Sequence, residues 1–243
     1  MRWIFISPHF DDAALSCGGL IWELAQKGEH VEIWTIFAGY PDPGPLSEFA
    51  ARTHAIWGTG DGHQTVDLRR TEDRAAAGVL GVGVHHYHQL DCIYRKDPDG
   101  KFLYPDSVFD PPQPADASLS VRIAAALAPD LLPKDHIVCP LAIGNHVDHV
   151  LTFKGAGLLR RELAYYADFP YVLRFPEQFS TLTQGMRSDL HRISENGLAS
   201  WQRSILAYKS QLSQLFGTPD VMREQVRGYW IPYLGLRLWS PAS

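Results

Sequence analysis

Two short segments of this chain crowd ionisable side chains behind apolar runs. "PHFDD", Pro8–Asp12, comes one residue after Trp3-Ile4-Phe5-Ile6, and "HVDH", His146–His149, comes shortly after a later apolar run, His136–Leu141. Runs of that length rich in aromatic and β-branched residues read as buried strands. In open α/β sheets, ligands bind beyond the carboxyl ends of the strands, where helix N-termini point. If these two strands are near neighbours, His9, Asp11 and Asp12 converge with His146, Asp148 and His149. Two imidazoles and a carboxylate suit Zn²⁺, which in catalytic sites takes three protein ligands and leaves a fourth position to water. The metal brings the pKa of that water to about 7. A spare carboxylate can then act as general base, and a spare histidine can stabilise an oxyanion or protonate a leaving group. Taken singly, Asp12 reads as a helix N-cap, His9 as a loop residue, and His146 with His149 as the solvated start of a helix. Taken together, they exceed what capping needs.

The elements that must position these residues follow from periodicity. Ala13 to Lys27 reads as a helix closed by Gly28. Val31 to Phe37 reads as a second strand, which makes a βαβ unit and favours a parallel sheet with right-handed crossovers. Leu46–Trp57, Arg69–Leu80, Ser118–Leu127 and His149–Leu163 are expected helices; His85–Leu90 and Tyr165–Leu173 are expected strands. A helix over Leu198–Leu215 precedes the apolar tail "YWIPYLGLRLW". Asp91 to Gln113 carries Asp, Pro, Gly, Tyr and Lys with little periodicity and reads as a long surface excursion, a class of loop that is often functional. With no internal repeat or low-complexity linker, the expectation is one Rossmann-like α/β domain over 1–243, a mostly parallel sheet flanked by helices. Its core is 1–165 and its C-terminal elaboration 166–243.

Composition narrows the function. The chain has 243 residues, 45% hydrophobic and 20% charged, with a net charge of −5. That balance argues against a general nucleic-acid or anionic-membrane binder. No apolar run approaches the roughly 20 residues of a membrane span, and the N-terminus reads as a strand, not a secretory signal. Cys17, Cys92 and Cys139 are odd in number and far apart. This predicts buried thiols in a reducing, cytoplasmic setting.

The two segments also carry a resemblance. "PHFDD" resembles the Pro-His-Pro-Asp-Asp motif of the PIG-L/LmbE-like family of zinc-dependent N-acetylglucosaminyl deacetylases, and "HVDH" its His-x-Asp-His motif. Between them "RRTEDRAAAGVLGV", Arg69–Val82, is similar to the family's Arg-x-x-Glu…Ala…Leu-Gly-Val helix. "LDCIYR", Leu90–Arg95, resembles a sugar-contacting segment, and "YKSQL", Tyr208–Leu212, a late helix of many members. The resemblance implies a metal-dependent hydrolase that removes an N-acyl group, acetyl above all, from a small-molecule amino-sugar substrate. It implies zinc, or ferrous iron as the native alternative, held by His9, Asp12 and His149. Asp11 is then the base, and His146 assists the tetrahedral intermediate and the leaving amine, with Asp148 holding its imidazole. Arg69 and Asp91 are candidates for gripping sugar hydroxyls. Phe10 and Ala13 depart from the family pattern and point to a different pocket wall. "FAGYP", "HAIWG" and "LDCIYR" are similar to deacetylases that act on amino sugars of glycopeptide antibiotics. A metal hydrolase of another bond, such as a phosphoester, and a non-catalytic sugar- or nucleotide-binding protein remain the alternatives.

Weaker signals stand beside these. His85–Gln89, "HHYHQ", offers a second metal set, but edge histidines are the simpler reading. Trp3, Trp22, Trp34 and Trp57 read as core, whereas Trp201 and Trp230 could line a pocket. "CGG", Cys17–Gly19, lacks the Gly-x-Gly-x-x-Gly pattern of a dinucleotide site.

Overall fold

Strand β1 (Arg2–Ser7) contains the first apolar run, and its Ile4, Phe5 and Ile6 are fully buried, as a central parallel strand covered on both faces requires. It feeds helix α1 (Asp12–Gln26) and returns as β2 (His30–Thr35). Helices α2 (Glu48–Trp57) and α3 (Gly62–Leu80) precede β3 (Gly83–His86). Helix α4 (Leu119–Leu127) leads to β4 (His136–Pro140), α5 (Val147–Leu158) and β5 (Leu163–Tyr166). Then come α6 (Tyr171–Arg174), α7 (Pro176–Thr183), β6 (Met186–Arg192), α8 (Glu195–Ile205), α9 (Lys209–Phe216), α10 (Pro219–Trp230) and β7 (Gly235–Pro241). The computed structural model describes residues 1–242.

One seven-stranded sheet runs β3-β2-β1-β4-β5-β7-β6. The first five of these pair in parallel, and β7 is antiparallel to both its neighbours. The β1–α1–β2 and β4–α5–β5 crossovers move in opposite directions along the sheet, so a shared right-handed sense places α1 and α5 on opposite faces. Strand order reverses between β1 and β4, where Phe5 lies level with Val138. That reversal is the switch point at which α/β sheets bind ligands. "PHFDD" and "HVDH" therefore emerge side by side.

The fold is the expected α/β sheet flanked by helices, and the described part of 166–243 supplies β6 and β7 to that same sheet. Several expected elements shift for physical reasons. Helix α3 starts at Gly62, not Arg69, because the Asp61 carboxylate caps it by accepting the Gln64 N–H at 2.9 Å. The strand expected over Tyr165–Leu173 stops at Tyr166, since the Asp168 carbonyl accepts the Val172 N–H and starts a turn. The helix expected over Leu198–Leu215 is two, α8 and α9, and the break at 206–208 lets the Tyr208 hydroxyl donate to Asp73 Oδ1 at 2.7 Å. Residues 91–113 form the expected irregular surface segment, anchored at Cys92, Ile93, Tyr94, Arg95 and Tyr104, which are buried.

The glycines of "CGG" serve packing. A Cβ on Gly18 would fall 2.6 Å from Trp201 Cδ1, so glycine lets α8 lie close on α1. Trp201 is fully buried there and its indole N–H donates to the Leu15 carbonyl at 3.0 Å. Burying an indole removes roughly 200 Å² from water, on the order of 5 kcal/mol before entropy is counted. Trp230 is likewise core, its N–H donating to the Ile193 carbonyl. No helix among the described residues is long and apolar enough to cross a membrane.

Candidate active site at the sheet's switch point

The turn after β1 closes on Ser7 and on Asp12, whose Oδ2 accepts the His9 N–H at 2.7 Å. Ser7 Oγ accepts the Ala13 N–H at 3.0 Å and donates to the His9 carbonyl at 2.5 Å, while Asp11, at the N-cap position of α1, makes no side-chain cap bond. With the helix end satisfied in this way, the Asp11 carboxylate is free of any capping bond, and Asp12 faces the cleft while its Oδ2 keeps the His9 N–H.

The loop after β4 is built differently. Ala142, Gly144 and Asn145 have φ of 61°, 88° and 59°, and a Cβ on Gly144 would lie 2.9 Å from the Tyr171 ring. Left-handed non-glycine residues cost about 1–3 kcal/mol each and persist only where their surroundings hold them. Here the Ile143 N–H donates to Asp168 Oδ2 (3.0 Å), the Gly144 N–H to Gln178 Oε1 (2.9 Å), and Gln178 Nε2 to Asn145 Oδ1 (2.8 Å). This loop sets His146 at the N-cap of α5, where its Nδ1 accepts the Asp148 N–H at 3.2 Å. That cap also explains why α5 begins at Val147, before His149.

The two segments meet at Asp12. Its Oδ2 is 3.3 Å from His9 Nδ1 and 3.2 Å from His149 Nε2. The far nitrogen of each ring meets another carboxylate: His9 Nε2 lies 3.1 Å from Asp148 Oδ2, and His149 Nδ1 lies 2.7 Å from Asp168 Oδ1. Each imidazole thus faces carboxylates on both sides and must carry both protons unless a cation replaces one of them. Burial alone would lower either pKa, but Asp12 and Asp148 hold His9 well above the usual range, and Asp12 and Asp168 raise His149 to about 9. A divalent cation can take the place of the protons facing Asp12 while the outer carboxylates keep orienting the rings, which is how such partners support metal-binding histidines. The donor set therefore fits a divalent metal. His9, His146 and His149 also bring nitrogens within 4.8 Å of one another. Two overlapping donor groups, Cys92–His146–Asp148 and His9–Asp91–Asp148, share Asp148. That carboxylate is already engaged by Arg95 Nη1 at 2.6 Å and by the Cys92 N–H at 3.0 Å.

Asp11 and His146 stand beside this set. Burial pushes the Asp11 carboxyl up to about 6 against the restraining charge of Arg69, whose Nη2 is 3.4 Å from Asp11 Oδ1. Burial, with the positive charges of His9 and His149, holds His146 well below the usual histidine range. Arg69 lies between the Phe10 and Trp57 rings, its Cζ 5.2 and 4.8 Å from their centroids, with Nη1 4.0 Å from Asp91 Oδ2.

These groups floor a cavity of about 330 Å³. Its walls are Phe49, Thr53 and Trp57 of α2, Val108 and Phe109 of the 91–113 segment, Tyr171, and Gln211, Gln214 and Leu215 of α9. Two carboxylates of α3 clamp α9: Glu72 accepts the Ser210 N–H (2.8 Å) and hydroxyl (2.6 Å), and Asp73 accepts the Tyr208 hydroxyl.

Every residue singled out in the two segments, together with Arg69 and Asp91, lies at this site. One role is corrected. Asp148 does not hold the His146 imidazole; it meets His9 Nε2, and the His146 ring is held by the Asp148 backbone N–H because it caps its own helix. Phe10 and Ala13 are not pocket wall: Phe10 packs beneath Arg69 and Ala13 is fully buried. Trp57, expected in the core, lines the cavity instead. His86 pairs with Asp73 Oδ2 at 2.8 Å, and no metal set forms around His85–Gln89 among the described residues. Asp168 escaped the sequence reading. It follows β5 in "YYADFP", an acidic residue behind an apolar run, and the strand-end rule that picked out β1 and β4 would have found it.

A switch-point cleft floored by two carboxylate-braced imidazoles, with a further buried aspartate and histidine beside them, defines a metal-dependent hydrolase on a doubly wound sheet. The chain belongs to the PIG-L family, described as GlcNAc-PI de-N-acetylase, whose pattern matches residues 4–157. It is 31% identical to 2'-N-acetylparomamine deacetylase of Niallia circulans, over 88% of this chain and 82% of that protein. The zinc-inhibited form of teicoplanin deacetylase Orf2 superposes with a TM-score of 0.86 at 30% identity, covering 98% of this chain and 97% of that one. A deacetylase–teicoplanin complex does so with a TM-score of 0.82 at 31% identity, covering 99% and 98%.

Proposed function

We propose that this protein is a zinc-dependent N-deacetylase that removes the acetyl group from an amino sugar, N-acetylglucosamine in the first instance, joined to an aglycone with apolar or aromatic faces. The observation that carries the reading is Asp12 standing between His9 Nδ1 and His149 Nε2, with Asp11 and His146 beside that set and unused by it. Relatives that act on N-acetylparomamine and on teicoplanin support the amino sugar. The walls of Phe49, Trp57, Phe109, Tyr171 and Leu215 support an aglycone of that kind. Arg69 is the one cationic Arg or Lys side chain lining the cavity, and it is already shared by Asp11 and Asp91, which disfavours a phosphoester. The three free, buried cysteines support a cytoplasmic setting.

His9, Asp12 and His149 would hold the metal, zinc or its ferrous alternative. When bound, the ion polarises the amide carbonyl and brings water to a pKa of about 7. Asp11 accepts the proton of the attacking water, and burial poises it near neutral pH for that task. The His146 Nδ1 lone pair is used by the Asp148 N–H, so the neutral ring carries its proton on Nε2. That N–H steadies the oxygen on which charge develops and assists departure of the amine. Arg69 and Asp91 grip sugar hydroxyls.

The test is acetate release from N-acetylglucosaminyl glycopeptide pseudoaglycone and from N-acetylparomamine, with and without added zinc, beside phosphate release from a phosphomonoester. Metal-dependent acetate release supports the reading. Phosphate release without acetate release overturns it.

A further inference from the structure

We propose that Arg95 is a positioning residue for the metal site, acting through Asp148 to fix which nitrogen of His9 faces the cation. The inference rests on the metal-holding role given above to His9.

Arg95 is buried; its Nε and Nη1 are engaged by acceptors, while its Nη2 has no hydrogen-bond partner. Nη1 donates to Asp148 Oδ1 at 2.6 Å and to the Leu90 carbonyl at 2.9 Å, and Nε donates to Asp116 Oδ2 at 2.9 Å. Its Cζ lies 5.3 Å from the Phe37 ring centroid and 5.2 Å from that of Tyr104. Asp116 is fixed in turn by the Tyr104 hydroxyl at 2.8 Å, and that hydroxyl accepts the Gln113 N–H at 3.0 Å. The guanidinium therefore has a single place to sit.

The consequence falls on Asp148. One oxygen receives Arg95 and the other receives the Cys92 N–H, both of them donors. What Asp148 offers His9 is an acceptor, so Nε2 is the protonated nitrogen and the Nδ1 lone pair is turned toward Asp12 and His149. Removing Arg95 leaves a fully buried carboxylate with one fewer donor and nothing to hold its plane against His9. The chain Asp116–Arg95–Asp148–His9 also joins the 91–113 segment, whose Val108 and Phe109 wall the cavity, to the residues at its floor. One buried guanidinium thus serves the cavity's wall and its metal together.

The experiment measures zinc dissociation constants of the full chain by chelator competition for wild type, Arg95→Met, Arg95→Lys and Arg2→Met. Arg2 makes a partly buried ion pair with Asp135 away from the cleft and controls for general destabilisation. Arg95→Met should weaken zinc binding by about 10–100-fold, Arg95→Lys should recover part of the loss, and Arg2→Met should match wild type. A folded Arg95→Met protein with wild-type zinc affinity overturns the proposal. Should that variant not fold, long-range ¹⁵N NMR of zinc-loaded wild type decides: a His9 ring protonated on Nε2 and metal-bound through Nδ1 supports the proposal, and the reverse overturns it. Wild type that binds no zinc removes the underlying reading as well, whereas zinc-binding wild type with an unaffected Arg95→Met variant removes this inference alone.

Discussion

Asp168 Oδ1 stands 2.7 Å from His149 Nδ1, while its other oxygen accepts the Ile143 N–H at 3.0 Å. One carboxylate therefore orients the His149 ring and anchors the left-handed loop that delivers His146. Asp168→Asn can still present one acceptor, but it loses the charge that orients His149. Zinc affinity should fall by about 10–100-fold with little change in thermal midpoint. Asp168→Ala should in addition leave the Ile143 N–H unpaired, a cost of about 1–3 kcal/mol. Chelator competition and urea unfolding separate the two effects. An Asp168→Asn protein with unaltered zinc affinity would show that the carboxylate serves only the loop.

Asp11 and Asp12 are adjacent, yet they diverge in task. Asp12 lies between two imidazoles, whereas Asp11 faces Arg69. Asp11→Asn should keep zinc and lose about 10²–10⁴ in kcat, while His149→Ala should lose zinc as well. Metal analysis beside steady-state kinetics checks this. Unimpaired turnover in Asp11→Asn would sink its role as base.

The switch point could be read from the chain because it is local. An apolar run followed by His, Asp and Asp announces a strand end, and the pairing of β1 with β4 is the one long-range fact it needed. What stayed hidden was of two kinds. Helix ends decided by a distant partner were out of reach, as at Leu206–Tyr208, where the break between α8 and α9 serves a bond to Asp73. So was the division of labour among polar groups. Ser7, an unremarked hydroxyl, does the capping that Asp12 was the obvious candidate for, and Asp148 turns to His9 and Arg95 because His146 is used by its own helix. Spacing places side chains near one another without saying which hydrogen bond each one makes.

The clamp between α3 and α9 makes a prediction about binding. Glu72 takes both the N–H and the hydroxyl of Ser210, and the next turn of α9 puts Gln211, Gln214 and Leu215 on the cavity wall. Glu72 itself is not on the cavity lining. Glu72→Ala should therefore raise KM by about tenfold, equivalent to about 1.4 kcal/mol, with zinc affinity unchanged. A fall in kcat at constant KM would place Glu72 in the chemistry instead.

The last prediction concerns stability far from the cleft. Arg2 donates through two guanidinium nitrogens to Asp135, which also accepts the Leu132 N–H, and this tie joins the start of β1 to the turn before β4. Burial would raise the Asp135 carboxyl, but Arg2 and the Leu132 N–H outweigh it and hold the pKa below the ordinary aspartate range. A carboxylate with a depressed folded pKa contributes stability that is fully present above its unfolded value of about 3.9 and is lost as pH falls through the folded one. Asp135→Asn should thus unfold at a lower temperature than wild type at pH 7. With solvent screening at Arg2 allowed for, the loss is about 1 kcal/mol, or about 2–4 °C for a chain of this size. The gap should narrow as both proteins are taken below the unfolded value of about 3.9 and close once Asp135 of the folded protein is protonated. Thermal midpoints at pH 7, 5 and 3 measure it, and a gap that stays constant across that range would mean that the ion pair does not hold these two strand starts together.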